Sequence, residues 1–135
     1  MSSSCDGAPR ASSGGMSEIL ALEQCSAYVS ARATLAAVHG LADGWPIDLG
    51  DRTRRAAVDA VHHTAIAATY ATDSAGRRQC LREAIRCAIG VAALLDAASA
   101  MGFGAPVDPV RRAAGRTIAL LAICLHASSS PPDQE

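Results

Sequence analysis

The sequence predicts an all-α protein, an up-down-up-down antiparallel four-helix bundle, on three observations. Of 135 residues, 30 are Ala, 50% are apolar and only 3% are aromatic. Strands favour β-branched and aromatic side chains, whereas Ala is the strongest helix former. Second, small and aliphatic residues recur at helical steps, most clearly in Leu81, Ala84, Ile85, Ala88, Val91, Leu95 and Ala98. Third, three breaker segments (LADGWPID, Asp73-Ser74 and GFGAPV) leave four long stretches joined by short connections, so neighbouring helices must run antiparallel.

The elements follow in order. Residues 1–16 are Ser/Gly-rich and read as a disordered tail, as does the SSSPPDQE stretch of 128–135. The bundle occupies 17–127. Its first helix is expected from an N-cap at Ser17 to His39, with Gly40 as its stop and Leu22, Cys25, Val29, Ala33 and Ala36 as its inward face. The second is expected over Leu49 to Thr72, with Asp48 offering a cap after Pro46. The third is capped by Ser74 and runs to Met101. The fourth opens on Asp108-Pro109, an N-cap followed by Pro at the first helical position, and runs to His126. Gly90 and Gly115 fall inside helices, where each costs about 1 kcal/mol relative to Ala. Close helix approach, within the bundle or across an oligomer interface, would compensate that cost.

Several chemistries find no footing. The five Cys (Cys5, Cys25, Cys80, Cys87, Cys124) are odd in number and contain no Cys-x-x-Cys pair, which argues against a secreted disulfide framework. No secretory signal pattern or spanning-length apolar run is present, so the expectation is a soluble cytoplasmic protein with no membrane partner. A di-iron bundle needs Glu-x-x-His motifs, and Glu18, Glu23 and Glu83 have no His three residues on. His62 and His63 are adjacent, so on a helix their rings diverge. With no Gly-x-Ser-x-Gly turn, phosphate loop or paired carboxylates, we expect no catalytic residues, no metal and no cofactor, with the cysteines serving as packing groups.

The arginines form the one unusual pattern. All 12 basic residues are Arg. They crowd the starts of helices two (Arg52, Arg54, Arg55), three (Arg77, Arg78, then Arg82 and Arg86) and four (Arg111, Arg112, then Arg116). Cations there oppose the helix macrodipole. The N-termini of helices two and four share one end of such a bundle, so Arg52, Arg54, Arg55, Arg111 and Arg112 should converge as an anion or nucleic-acid surface. The net charge of -1 and pI near 6.4 limit any such surface to one end, and the lack of aromatic residues limits it to phosphate contacts. The competing reading is salt bridging, through Asp51–Arg55, Arg55–Asp59 and Asp108–Arg112 at i, i+4 or across subunit interfaces.

The runs RRAAVDAVHHTAIA (54–67), GRRQCLREAIRCAIGVAALLD (76–96), MGF (101–103) and AAGRTIALL (113–121) resemble the bacterial four helix bundle proteins encoded in 23S ribosomal RNA intervening sequences. The accessory variability protein of diversity-generating retroelements is a relative of that family. The Pro, Asn and Glu-Gly positions that follow the Arg-Arg-Ala-Ala-Val run in the family hold Val61, His63, Ile66 and Ala67 here. The resemblance implies a four-helix bundle that assembles into a ring, typically a homopentamer, without known catalysis. For the retroelement relative it implies binding of nucleic acid (RNA or DNA) and a reverse transcriptase. On this reading Gly90, Gly115 and Arg116 serve helix packing or the oligomer interface, and the function is that of an accessory scaffold. The alternative is a homo-oligomeric protein–protein scaffold with no nucleic-acid role.

Overall fold

The computed structural model describes residues 25–103 and 106–129. The expected N-terminal tail, the first helix's residues 17–24 and residues 130–135 lie outside the described residues. The described residues form four helices, α1 (Ser26–Leu41), α2 (Ile47–Ala67), α3 (Ala75–Ala100) and α4 (Val107–Ser129), with a 3-10 turn at Ala42–Gly44. Among the described residues there is no strand. Each helix packs on the next and α4 packs back on α1, giving a four-helix bundle.

The helix ends show which local signals hold. Ser74 caps α3 as expected, its Oγ accepting from the Arg77 N–H at 3.1 Å. α3 stops at Gly102, whose φ of 87° suits a residue without Cβ. The N–H groups of Gly102 and Phe103 there close on the carbonyls of Ser99 and Ala98 at 3.0 and 2.9 Å, satisfying the last turn. Gly40 does not stop α1, which continues through Leu41 into the 3-10 turn. α2 starts at Ile47 directly after Pro46, and Asp48 lies inside its first turn rather than capping it. α2 also ends earlier than expected, at Ala67, and the segment up to Ser74 turns the chain. α4 begins at Val107, with Asp108 in its first turn, and passes His126 to reach Ser129. Residues 128 and 129, expected in the tail, are therefore helical, and Ser128 is buried.

Two apolar clusters fill the interior. At the end where α2 and α4 begin, Trp45, Val38, Leu49, Val91, Leu95, Val107 and Val110 pack together. At the other end Ala27, Ala67, Leu81, Ala84 and Leu121 do so, with Cys25, Cys80, Ile85, Leu120, Cys124 and Leu125 partly buried against them. The α3 stripe is buried as its period predicts, with Ile85 at the margin.

The α1 stripe is a correction. Val29, Ala33 and Ala36 face outward, and Ala27, Ser30, Ala31, Thr34 and Val38 are buried instead. Hydroxyls make that possible. Thr34 Oγ1 donates to the Ser30 carbonyl at 2.9 Å, and Thr53, Thr64 and Thr117 bond the carbonyl four residues back in the same way. A hydroxyl that bonds its own helix can enter the core without an unsatisfied group. Ser30 and Thr117 then meet across α1 and α4 at 2.6 Å, and Thr34 lies 3.2 Å from the same Thr117 oxygen.

Inside the bundle, close approach falls on other glycines than Gly90 and Gly115. A Cβ on Gly90 would meet only Ala56 Cβ at 3.9 Å, ordinary contact, and one on Gly115 would point into open space. Neither is required for close approach inside the bundle. Gly50 is: its Cβ would lie 3.3 Å from the Ala42 carbonyl oxygen. At Gly76 a Cβ would run into the Tyr70 ring.

Candidate functional site

The five singled-out arginines stand at the end built from the 3-10 turn and the starts of α2 and α4, each in a different electrostatic setting. Arg54 is the most enclosed, its side chain 28% exposed; its Nη2 donates to Asp43 Oδ1 at 2.9 Å and to the His39 carbonyl at 3.3 Å. Its Nη1 lies 3.9 Å from Asp51. Arg52 pairs with Asp48 at 3.3 Å. Arg111 reaches Asp96 at the end of α3 at 3.0 Å and Asp108 at 3.4 Å. Arg55 and Arg112 are exposed and make no ion pair with a described residue. The pairs expected at Asp51–Arg55, Arg55–Asp59 and Asp108–Arg112 do not form; Asp51 and Asp108 turn to Arg54 and Arg111, three residues on, instead.

This end is thus a mixture of signs. Asp43, Asp48, Asp51, Asp96 and Asp108 stand among Arg52, Arg54, Arg55, Arg111 and Arg112, and three of the guanidinium groups are taken up by carboxylates. The Nε atoms of Arg54 and Arg111 are buried without a partner, so these two side chains are held by their outer nitrogens alone. Exposed ion pairs contribute about 0–1 kcal/mol each, and their effect here is chiefly to fix side-chain direction.

At the opposite end Arg77 and Arg78 serve the helix termini around them. Arg77 donates from Nε to Ser128 Oγ at 3.1 Å and from Nη1 to the Ala67 carbonyl at 3.2 Å. Arg78 Nη1 reaches the Asp73 and Ser128 carbonyls at 2.8 and 3.2 Å. The last carbonyls of α2 and α4 therefore find cationic donors. Ser128 was hidden from the sequence reading inside a Ser-Ser-Ser run that looks like tail.

Three of the described thiols are raised rather than activated. Burial pushes Cys80, Cys87 and Cys124 up from the usual thiol value, and a neighbouring group adds to it at each: the Glu83 carboxylate for Cys80, those of Asp59 and Glu83 for Cys87, and Cys25 for Cys124. Such groups stay protonated near neutrality, and a protonated thiol is a poor nucleophile. His62 and His63 stack edge to face with centroids 5.5 Å apart. Among the described residues no three His, Cys, Asp or Glu groups are placed to hold a metal ion. Gly90 lies on the α2–α3 seam, while Gly115 and Arg116 are exposed on the outer face of α4. No described helix is long and apolar enough to cross a membrane.

No protein-family model, curated protein or solved structure matches the chain.

Proposed function

We propose that the chain is a non-enzymatic scaffold that assembles with copies of itself into a ring, by joining one helix pair of each bundle to the opposite pair of the next. The observation that carries this reading is the distribution of exposed apolar side chains. Val58 and Ile89, 48% and 51% exposed, project from α2 and α3, while Val29 and Ile123, 47% and 65% exposed, project from α1 and α4. The helices pack in cyclic order, so these are opposite sides of the bundle. Two different apolar faces on opposite sides suit a head-to-tail contact, and a head-to-tail contact that closes makes a ring. Gly115, Ala119 and Ala122 beside Ile123 would let a neighbouring helix come near. Light scattering tests it: the wild type should show a mass several times 13.8 kDa, and Ile89→Arg with Ile123→Arg should reduce it to a monomer of unchanged helicity. A wild type that stays monomeric at every concentration would sink the proposal.

A second reading, an accessory protein that presents the ring to RNA, DNA or a reverse transcriptase, is favoured by Arg55 and Arg112, which stand exposed at one end without a carboxylate partner among the described residues. Binding would run through phosphates and weaken steeply with salt. Duplex binding across a salt series, with Arg55→Ala and Arg112→Ala as the paired loss, tests it; no binding at 50 mM salt removes the nucleic-acid role and leaves the scaffold.

A further inference from the structure

Cys25, at the start of α1, and Cys124, near the end of α4, stand level with each other in the bundle. The contacts of Thr117 set the register. Counted from the Ser30–Thr117 contact, Cys124 lies about 3 Å farther along the axis than Cys25, at 1.5 Å per residue. Counted from the Thr34–Thr117 contact, it lies about 3 Å short of it. The two thiols therefore bracket the same height. Both pack against the cluster of Ala27, Leu81 and Leu121. The seam between their helices is lined by small side chains, and its hydroxyls approach to 2.6 Å, so the backbones run close there. Cys25 is also one of the groups that act on the Cys124 thiol, beside its burial and the opposing Arg77, so the two residues are near neighbours. Cys80 belongs to the same cluster, but the charge acting on it comes from Glu83 on its own helix.

We propose that Cys25 and Cys124 are an oxidation site, a thiol pair that a peroxide converts to a disulfide tying the start of α1 to the end of α4. One thiol gives up its proton and attacks the peroxide oxygen, becoming a sulfenic acid, while the departing hydroxide takes that proton and leaves as the first water. The second thiol then gives up its proton and attacks that sulfur, forming the S–S bond, and the displaced hydroxide takes the proton and leaves as the second water. In sum, two thiols and one hydrogen peroxide give one disulfide and two waters, with two electrons passing from sulfur to oxygen. The bond closes a loop from residue 25 to residue 124, and a loop of that length constrains the unfolded chain strongly.

The five cysteines fall on five different tryptic peptides, so each pairing has its own signature. The folded full-length chain is oxidised with hydrogen peroxide, its remaining thiols are alkylated, and it is digested without reduction. The expected product is peptide 11–32 joined to peptide 117–135, two mass units lighter than the pair, on a chain that migrates as a monomer without reductant. The melting temperature should rise by on the order of 10 °C. That rise should be lost in Cys25→Ser and in Cys124→Ser and kept in Cys80→Ser. A linked peptide containing Cys5, Cys80 or Cys87 instead, a bond only between two chains, or over-oxidation of Cys25 and Cys124 without linkage would overturn the proposal.

Discussion

Arg77, in the first turn of α3, donates from Nε to the side chain of Ser128 near the end of α4 at 3.1 Å. A cation in the first turn is unfavourable to its own helix. In an antiparallel bundle, however, the first turn of α3 lies beside the last turns of α2 and α4, and the same guanidinium also reaches the Ala67 carbonyl at 3.2 Å. Arg54 repeats the arrangement at the far end, reaching from the start of α2 to the His39 carbonyl at the end of α1. Arg77 opposes its own dipole, and both arginines complement a neighbour's.

Arg77→Ala should therefore destabilise the bundle by about 1.5–3 kcal/mol, the range for hydrogen bonds to a charged group. Arg77→Lys keeps the charge but cannot span the two acceptors with a planar fork, so it should recover less than half of the loss. Urea unfolding midpoints of the three proteins measure both.

Thr117 joins Ser30 and Thr34 inside the bundle. Thr117→Val removes one partner and leaves the buried Ser30 hydroxyl unsatisfied, at a cost of about 1–3 kcal/mol. The triple replacement Ser30→Ala, Thr34→Val, Thr117→Val removes every hydroxyl together and should be less destabilising than the single change. A triple variant as destabilised as the sum of its singles would show that the hydroxyls are not a coupled group.

Gly50 and Gly115 should respond to Ala with opposite signs. At Gly50 the new methyl meets the Ala42 backbone oxygen at 3.3 Å, and backbone cannot swing aside, so a loss of about 1 kcal/mol or more is expected. At Gly115 the methyl meets nothing in the bundle, and helix propensity favours it by about 1 kcal/mol. Thermal unfolding at fixed protein concentration separates the two. A simultaneous fall in assembled mass for Gly115→Ala would place Gly115 in the subunit contact.

The raised thiols give an alkaline limb to stability. Where the folded value lies above the unfolded one, the folded state holds more protons, so the stabilisation is full below the ordinary thiol value of 9.0 and is lost as pH rises through the folded value. Melting temperatures in reductant should hold from neutral pH to about 9 and fall above it. Cys124→Ser should flatten that fall, and a limb unchanged in Cys80→Ser, Cys87→Ser and Cys124→Ser alike would show that other groups cause it.

What the sequence determined by itself was local. Ala content, the α3 stripe and the breaker segments fixed four helices in their order, and Ser74 was legible as a cap because its hydrogen bond spans three residues. The inward face of α1 was not legible. Val29, Ala33 and Ala36 form the more apolar stripe, yet the side holding Ser30 and Thr34 is buried, because their hydroxyls bond within α1 and to Thr117, a residue of α4. The arginines show the same division. Their crowding at helix starts was visible in the sequence, but which carboxylate or carbonyl each would meet depended on the antiparallel neighbour, so only the tertiary structure decided that Arg54, Arg77 and Arg111 are bound within the bundle while Arg55 and Arg112 remain exposed.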